Sequence, residues 1–171
     1  DIHLCQKLFR LIKKILMIKF NVLISNKRWK KYINNPKAYI NKKLILLNKG
    51  DTFFKNKQIF FSLLLSSSKE IKSINKKFRK KNKITDVLAF PFYEKREINK
   101  FFKKNVSFYL GDIIINLDKI TKKSKEKKIV KIEFDKLWIH GLAHLLGFRH
   151  KYNKDYIKMK KIEKKFFKLL N

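Results

Sequence analysis

Hydrophobic and polar positions change their period several times along the chain. Four short runs rich in isoleucine, leucine, valine and aromatic residues have the length of strands, and longer segments carry apolar residues at helical spacing. The second run, IFFSLLLS, is almost wholly apolar, which is typical of a strand buried on both faces. The third run ends at Pro91, and proline favours an edge strand because it cannot donate a ladder hydrogen bond. The predicted strands cover residues 19–25, 59–66, 85–92 and 107–116.

Helices are predicted between and after these strands. Pro36 interrupts the first helical segment, and Ser67 or Ser68 can cap the second. The lysine-rich segment 94–105 is expected to be a loop. Because strands and helices interleave and no repeat or linker divides the chain, we expect a single α+β domain. Its mixed sheet of about four strands should pack against five or more helices. The helical segments are 27–48, 68–78, 117–128, 132–146 and 154–169.

The first sixteen residues form a basic, partly apolar segment. Lysines interrupt its apolar part and no small-residue cleavage site follows, so it does not match a signal peptide. Met17 opens MIKFNVLIS, which has the pattern of a first strand. We therefore expect residues 1–16 to be a dispensable extension and residues 17–171 to form the functional domain. No uninterrupted apolar run approaches the length of a membrane span, so no membrane partner is expected.

The chain is strongly basic, with 45 lysines and arginines against 13 acidic residues and a formal charge of +32. Such a charge attracts RNA, but an AT-rich genome would also produce a chain rich in lysine, isoleucine and asparagine. The charge therefore permits an RNA partner without proving one. Cys5 is the only cysteine, so no internal disulfide can form, which fits a reducing cytoplasm.

Three of the four histidines lie in the stretch HGLAHLLGFRH, residues 140–150. His140 and His144 are four apart near the end of a predicted core helix, so they project from the same face. Gly147 is placed to end this helix, because glycine accepts the left-handed conformation, and the chain can then bring His150 beside the other two. Three imidazoles leave one coordination position open, as in catalytic zinc sites. We predict one zinc ion per chain; histidines that bind no metal are the alternative.

The spacing of these histidines also matches the metzincin pattern H-E-x-x-H-x-x-G-x-x-H. In that pattern the residue after the first histidine is a glutamate that acts as general base. Gly141 occupies this position here, so the chain lacks the proton acceptor that a metallopeptidase requires. A metzincin-like peptidase is therefore the less favoured interpretation.

A glycine at this position, followed by H-L-L-G-[YF]-x-H, resembles the YbeY family of bacterial endoribonucleases. Asn75 and the segment FRKKNKITDVLAFPF (78–92) resemble the family's N-x-x-[YF]-R-x-x-x-x-x-T-D-V-L-S-F-P motif. The strand LGDIIIN (110–116) resembles its L-G-D-I-x-I motif. The three motifs occur in the same order and with the same spacing, so the resemblance spans about residues 17–170.

The resemblance implies that His140, His144 and His150 hold the zinc ion and that Arg79 is the functional arginine. Arginine also suits this role on physical grounds, because its planar fork can bind a phosphate through two hydrogen bonds. An ordinary solvated charge at a helix end is the alternative for Arg79. The implied activity is cleavage of single-stranded RNA in maturation of the 3′ end of small-subunit ribosomal RNA and in ribosome quality control. The implied partners are the ribosome and small-subunit assembly proteins.

Four further positions bear on this expectation. Asp86 and Asp112 match motif positions, and either can orient a histidine ligand or cap a turn or strand end. Arg149 stands where the family usually has aspartate, and Ala89 stands where it usually has serine. The first change adds positive charge beside the metal, and the second removes a hydroxyl group. Neither change removes an expected metal ligand.

Two questions stay open at the level of sequence. The attacking group in RNA cleavage can be a metal-bound hydroxide or the RNA's own 2′-hydroxyl group. A non-catalytic RNA-binding or ribosome-assembly factor that keeps the metal for stability would show the same charge and the same histidines.

Overall fold

The computed structural model describes residues 18–51, 54, 58–104, 106–150 and 152–170. The expected N-terminal extension, residues 1–16, lies outside the described residues. Within these ranges the chain forms four strands and seven helices, which confirms a single α+β domain.

One sheet contains all four described strands, in the order β1-β2-β4-β3. Their bounds are β1 Ile18–Ile24, β2 Ile59–Ser66, β3 Val87–Pro91 and β4 Phe108–Asn116. Strands β1, β2 and β4 pair in parallel, whereas β3 pairs antiparallel with β4, so the sheet is mixed as predicted. Strand β3 lies at an edge, which confirms the expectation based on Pro91.

The helices in the described ranges are α1 Trp29–Tyr32, α2 Pro36–Gly50, α3 Ser68–Arg79, α4 Lys95–Lys104, α5 Leu117–Lys123, α6 Lys127–Leu145 and α7 Asn153–Leu170. The predicted interruption near Pro36 is confirmed, since α1 and α2 are separate helices. The Asn35 side chain caps α2 by accepting a hydrogen bond from the Ala38 N–H at 3.0 Å. None of the described helices has both the length and the apolar character needed to cross a membrane.

The prediction of a loop at 94–105 is wrong, because this segment contains helix α4. The Glu97 side chain caps its start by accepting a hydrogen bond from the Glu94 N–H at 2.9 Å. Ile98 is buried and the Phe101 ring packs 5.0 Å from that of Phe108. These apolar side chains recur at helical spacing, and the many lysines between them hid the pattern.

The boundary between α5 and α6 also differs from the prediction. A single polar helix was expected over 117–128, but α5 ends at Lys123. The Ser124 hydroxyl accepts a hydrogen bond from the Glu126 N–H at 3.1 Å and so stabilises the turn between the helices. Helix α6 therefore begins at Lys127, five residues before its predicted start.

The sheet has a helix-covered core on each face. Side chains alternate along a strand, so Ile113 and Ile114 of β4 point to opposite faces. Helix α6 packs on the face of Ile113, within the large core that also contains Trp138. Helix α3 packs on the other face, where Ile71 joins Leu88 and Ile114 in a smaller cluster. The predicted histidines and Arg79 therefore come from helices on opposite faces of the sheet.

Candidate metal centre and its cleft

The three predicted histidines lie together at the end of α6. His140 and His144 are one helical turn apart, and their Nε2 atoms are 3.1 Å from each other. The His150 ring returns to within 5.0 Å of the His144 ring and 5.7 Å of the His140 ring, measured between ring centroids. One nitrogen from each ring lies within 4.8 Å of the others, which is a group that could hold a metal ion.

A tight turn after α6 brings His150 back. Gly147 has a φ of +82°, a conformation that residues with side chains rarely adopt. A Cβ atom on Gly147 would also lie 2.9 Å from the Cα atom of Lys95, which belongs to α4. The Phe148 N–H then donates to the Ala143 carbonyl group at 3.0 Å. Glycine is therefore required both for the backbone conformation and for the close approach of α4.

Hydrogen bonds on the outer side of two imidazoles determine which nitrogen faces the centre. His140 Nδ1–H donates to Glu163 Oε1 at 2.6 Å, and His144 Nδ1–H donates to the Phe148 carbonyl oxygen at 3.0 Å. Burial, followed by the neighbouring charge of His140, lowers the pKa of His144 to about 4, so this ring is neutral at pH 7. The His144 Nε2 atom therefore carries a lone pair, and it faces the His140 Nε2 atom at 3.1 Å.

This donor set fits a metal cation. Two nitrogen ligands at about 2.0–2.1 Å from a tetrahedral zinc ion are separated by about 3.3 Å, close to the distance between the His140 and His144 Nε2 atoms. Glu163 adds an ionised carboxylate behind His140, because hydrogen bonds from His140 and Lys160 outweigh the effect of burial and lower its pKa to about 2.

Gly141 packs directly against the sheet. A Cβ atom at this position would lie 2.6 Å from Cγ2 of Ile113 and 3.0 Å from its Cγ1. The residue after His140 therefore has no room for a side chain, and the glutamate of a metallopeptidase cannot be accommodated there. This packing argues against the metzincin-like alternative on grounds independent of the missing carboxylate.

A cleft of about 630 Å³ is lined by the three histidines and by Arg79. Helix α3 packs on the other face of the sheet, but its C-terminal end reaches past the edge strand β3. There the Phe78 ring packs on the Phe90 ring, with 5.8 Å between centroids. The structure thus brings Arg79 into the same cleft as the histidines. Arg149 and Ala89, the two departures from the family pattern, also line this cleft.

The carboxylate that orients a histidine is neither of the two that the sequence suggested. Asp86 lines the cleft, but its Oδ1 accepts from the Val87 N–H at 3.1 Å and so caps the start of β3. Asp112 lies on the α3 side of the sheet, where it accepts a hydrogen bond from the Tyr109 hydroxyl at 2.6 Å. Glu163 of α7 makes the contact with His140 instead.

Sequence reasoning missed Glu163, although the sequence carries one weak signal. Glu163 lies four residues after the buried Met159 and three before the buried Phe166, so it shares the inward-facing side of α7. A carboxylate on the buried side of a helix usually has a partner. Nothing in the local sequence identifies that partner as His140, which is 23 residues away.

The arrangement defines a class of protein: an α+β domain with a three-histidine centre at the end of a core helix and an arginine that lines the same cleft. Comparison with known sequences agrees. A family described as "Endoribonuclease YbeY" matches residues 23–171. The chain is 40% identical to the endoribonuclease YbeY of Pelagibacter ubique, covering 90% of this chain and 97% of the relative. It is 35% identical to that of Buchnera aphidicola subsp. Schizaphis graminum, covering 88% and 89%.

The fold also resembles a solved structure. The solution structure of a Thermotoga maritima protein superposes with a TM-score of 0.56 at 22% identity, covering 88% of both chains. This likeness supports the architecture of the sheet and helices. From the sequence matches, the chain belongs to the endoribonuclease YbeY family.

Proposed function

We propose that this chain is a zinc-dependent endoribonuclease that cleaves single-stranded RNA. One observation carries the proposal: the Nε2 atoms of two histidines face each other at 3.1 Å beside a third histidine, in a cleft that Arg79 also lines. Membership of a family of endoribonucleases supports RNA as the substrate. The formal charge of +32 gives the chain a field that attracts such a polyanion.

In this proposal His140, His144 and His150 hold one zinc ion through imidazole nitrogens. A zinc ion supplies a Lewis acid that polarises a phosphodiester oxygen and lowers the pKa of water. The protein contributes the shape of the site. Glu163 holds the His140 ring through Nδ1, and the Phe148 carbonyl group holds His144 in the same way, so both Nε2 atoms stay directed at one point.

Arg79 acts on the phosphate. Its guanidinium group can donate two parallel hydrogen bonds to a phosphodiester and stabilise the negative charge that develops on the non-bridging oxygens during cleavage. Arg149, on the same cleft, adds a second positive charge for the strand. Both arginines are exposed, so RNA can reach them without a rearrangement of the core.

We further propose that the substrate in the cell is ribosomal RNA, with cleavage at the 3′ end of the small-subunit RNA and a part in ribosome quality control. The ribosome and small-subunit assembly proteins would then be the partners, in the cytoplasm. The family resemblance supports this step, and the basic surface is compatible with it.

The test is a cleavage assay with purified protein. The zinc-loaded chain and a sample stripped by chelator are incubated with a 5′-labelled single-stranded RNA and with the same strand in a duplex. We expect zinc-dependent cleavage of the single strand. A chain that binds this RNA and zinc but leaves the strand intact would instead be a non-catalytic binding factor.

The product ends then identify the attacking group. Attack by the RNA 2′-hydroxyl group leaves a 2′,3′-cyclic phosphate, whereas hydrolysis by water leaves an open phosphate on one fragment. Mass spectrometry of the fragments distinguishes the two.

A further inference from the structure

The segment of residues 76–83, here called the lysine rim, combines positive charge with one exposed aromatic ring. Its sequence KKFRKKNK contains six cations and no acidic residue. All eight residues are exposed, and in the part of the chain that the structure describes none of the six cations is in an ion pair. Lys80 has a φ of +57° and ends α3, and Phe78 and Arg79 of the lysine rim line the histidine cleft.

Phe78 is the aromatic residue of the lysine rim, and 63% of it is exposed. Its ring is nevertheless held in place, because it packs against the Phe90 ring with 5.8 Å between centroids and a 66° angle between planes. Phe78 also lines the cleft that contains the histidines and Arg79. A fixed, exposed ring beside a phosphate-binding arginine is the arrangement on which a nucleobase can stack.

Exposure alone does not single out Phe78. Phe92 is 69% exposed, but its ring contacts those of Tyr93 and Tyr109, and it does not line the histidine cleft. Phe92 therefore serves as a matched control. It has the same side chain and similar exposure, and it lies outside the proposed strand path.

The opposite end of the site is less suited to a polyanion. A second cleft, of about 670 Å³, opens on the other side of His140, and its cations are largely matched by carboxylates. Glu133 pairs with Lys136 at 2.7 Å, and Glu163 pairs with Lys160 at 2.8 Å. Charge complementarity therefore favours the lysine rim as the path of an RNA strand.

We propose that Phe78 is a stacking platform for one unpaired base of the bound RNA, while the rim lysines contact the phosphates beside it. This inference rests on the proposed function and deepens it by defining the substrate as a strand with an accessible base. In a duplex each base is already stacked between its neighbours and cannot lie on Phe78. Stacking on a phenyl ring tolerates every base, so the platform selects unpaired RNA without selecting a sequence.

The experiment measures binding separately from cleavage. Fluorescence anisotropy reports the affinity of the zinc-loaded chain for a labelled 2′-O-methyl oligouridylate and for a duplex of the same length. Gel electrophoresis after each titration checks that the strand is intact. The variants are Phe78→Leu, which keeps apolar packing on Phe90 but removes the flat ring, Phe78→Trp, which restores a ring, and the control Phe92→Leu.

We expect Phe78→Leu to weaken single-strand binding by about tenfold or more, with duplex binding unchanged and single-strand binding restored in Phe78→Trp. Phe92→Leu should bind both probes like the parent. Equal single-strand affinities of Phe78→Leu and the parent would overturn the stacking platform. So would a loss of affinity in Phe78→Leu that is equal for the single strand and the duplex, or a loss in Phe92→Leu as large as that in Phe78→Leu. If the parent cleaves RNA and Phe78→Leu binds normally, only the platform fails. If Phe78 is needed for binding but no RNA is cleaved, only the nuclease assignment fails.

Discussion

The two sides of the cleft are built in different ways. On the histidine side, the two glutamates that line the cleft beside His140 are paired: Glu163 binds both His140 and Lys160, and Glu133 pairs with Lys136 at 2.7 Å. The lysine rim, which lines the cleft through Phe78 and Arg79, has six exposed cations without ion pairs among the described residues. Paired and buried groups fix the positions of side chains, whereas solvated cations supply a positive electrostatic field that attracts a polyanion.

This difference predicts that substitutions on the two sides fail in different ways. Changes on the histidine side should alter metal binding or stability. Changes on the lysine rim should alter RNA binding or cleavage while metal content and folding stay as in the parent. The following predictions test this separation, from the largest expected effect to the smallest.

Replacing His144 should have the largest effect. His144→Ala removes one of two facing Nε2 atoms, and the remaining histidines offer only two ligands to the ion. We expect loss of stoichiometric zinc, measured by elemental analysis after dialysis, and loss of RNA cleavage. Full metal content in this variant would overturn the ligand set.

Replacing Arg79 should leave the histidine side intact. Arg79→Ala should keep zinc content and the thermal midpoint while lowering the single-turnover rate of RNA cleavage by at least about tenfold, since losing one such donor commonly costs about 10²–10³ in rate. Arg79→Lys keeps the charge but loses the planar guanidinium group that makes two hydrogen bonds, so it should retain part of the activity. A parental rate for Arg79→Ala at saturating RNA would reduce this residue to a binding role.

Glu163 should affect zinc affinity. In Glu163→Gln the side chain keeps its size but loses the charge that holds the His140 Nδ1–H group. We expect zinc affinity to fall about 10–100-fold, measured by competition with a coloured chelator. The cobalt-substituted protein should show an altered visible spectrum.

Lys160→Ala is the matched control for Glu163→Gln. It removes the other partner of the carboxylate, an exposed lysine whose pair with Glu163 is worth about 0–1 kcal/mol, so zinc affinity should fall by less than about fivefold. An equal loss in both variants would show that Glu163 acts through general packing.

Gly141 tests the packing beneath the histidines. Gly141→Ala gains up to about 1 kcal/mol in helix propensity, but overpacking against Ile113 costs about 1–3 kcal/mol, so we expect a net loss of unfolding free energy. Chemical denaturation measures the change. In an Ile113→Ala background the same substitution should cost less, and an equal cost in both backgrounds would contradict the contact.

The smallest effect is expected from removal of residues 1–16. We propose that these residues add little to the stability of the domain. The free energy of unfolding of a chain that begins at Met17 should therefore lie within about 1 kcal/mol of the parent's, a range typical of changes outside a core. Denaturant titration of the two chains makes the comparison. Severe destabilisation of the shorter chain would show that the segment is structural.

Much of the fold could be predicted because it depends on short-range patterns. All four strands were found, since each is a short run of β-branched, leucine and aromatic residues. Helix α4 was missed because lysines surround Ile98 and Phe101, and the packing of these side chains on the core outweighs the polarity of their neighbours. The break between α5 and α6 depends on one hydrogen bond from the Glu126 N–H to Ser124, which composition does not reveal.

The sequence by itself determined how the three histidines are arranged around the end of one helix. Two histidines four apart on a helix must share a face, and a glycine after them permits the turn that returns His150, because backbone geometry dictates both. Only the tertiary structure decided the contacts between elements. Helix packing puts Glu163 behind His140 and closes the space over Gly141, and the end of α3 carries Arg79 past the edge strand. Such contacts depend on how whole faces pack, and no periodicity along the chain records which distant faces will meet.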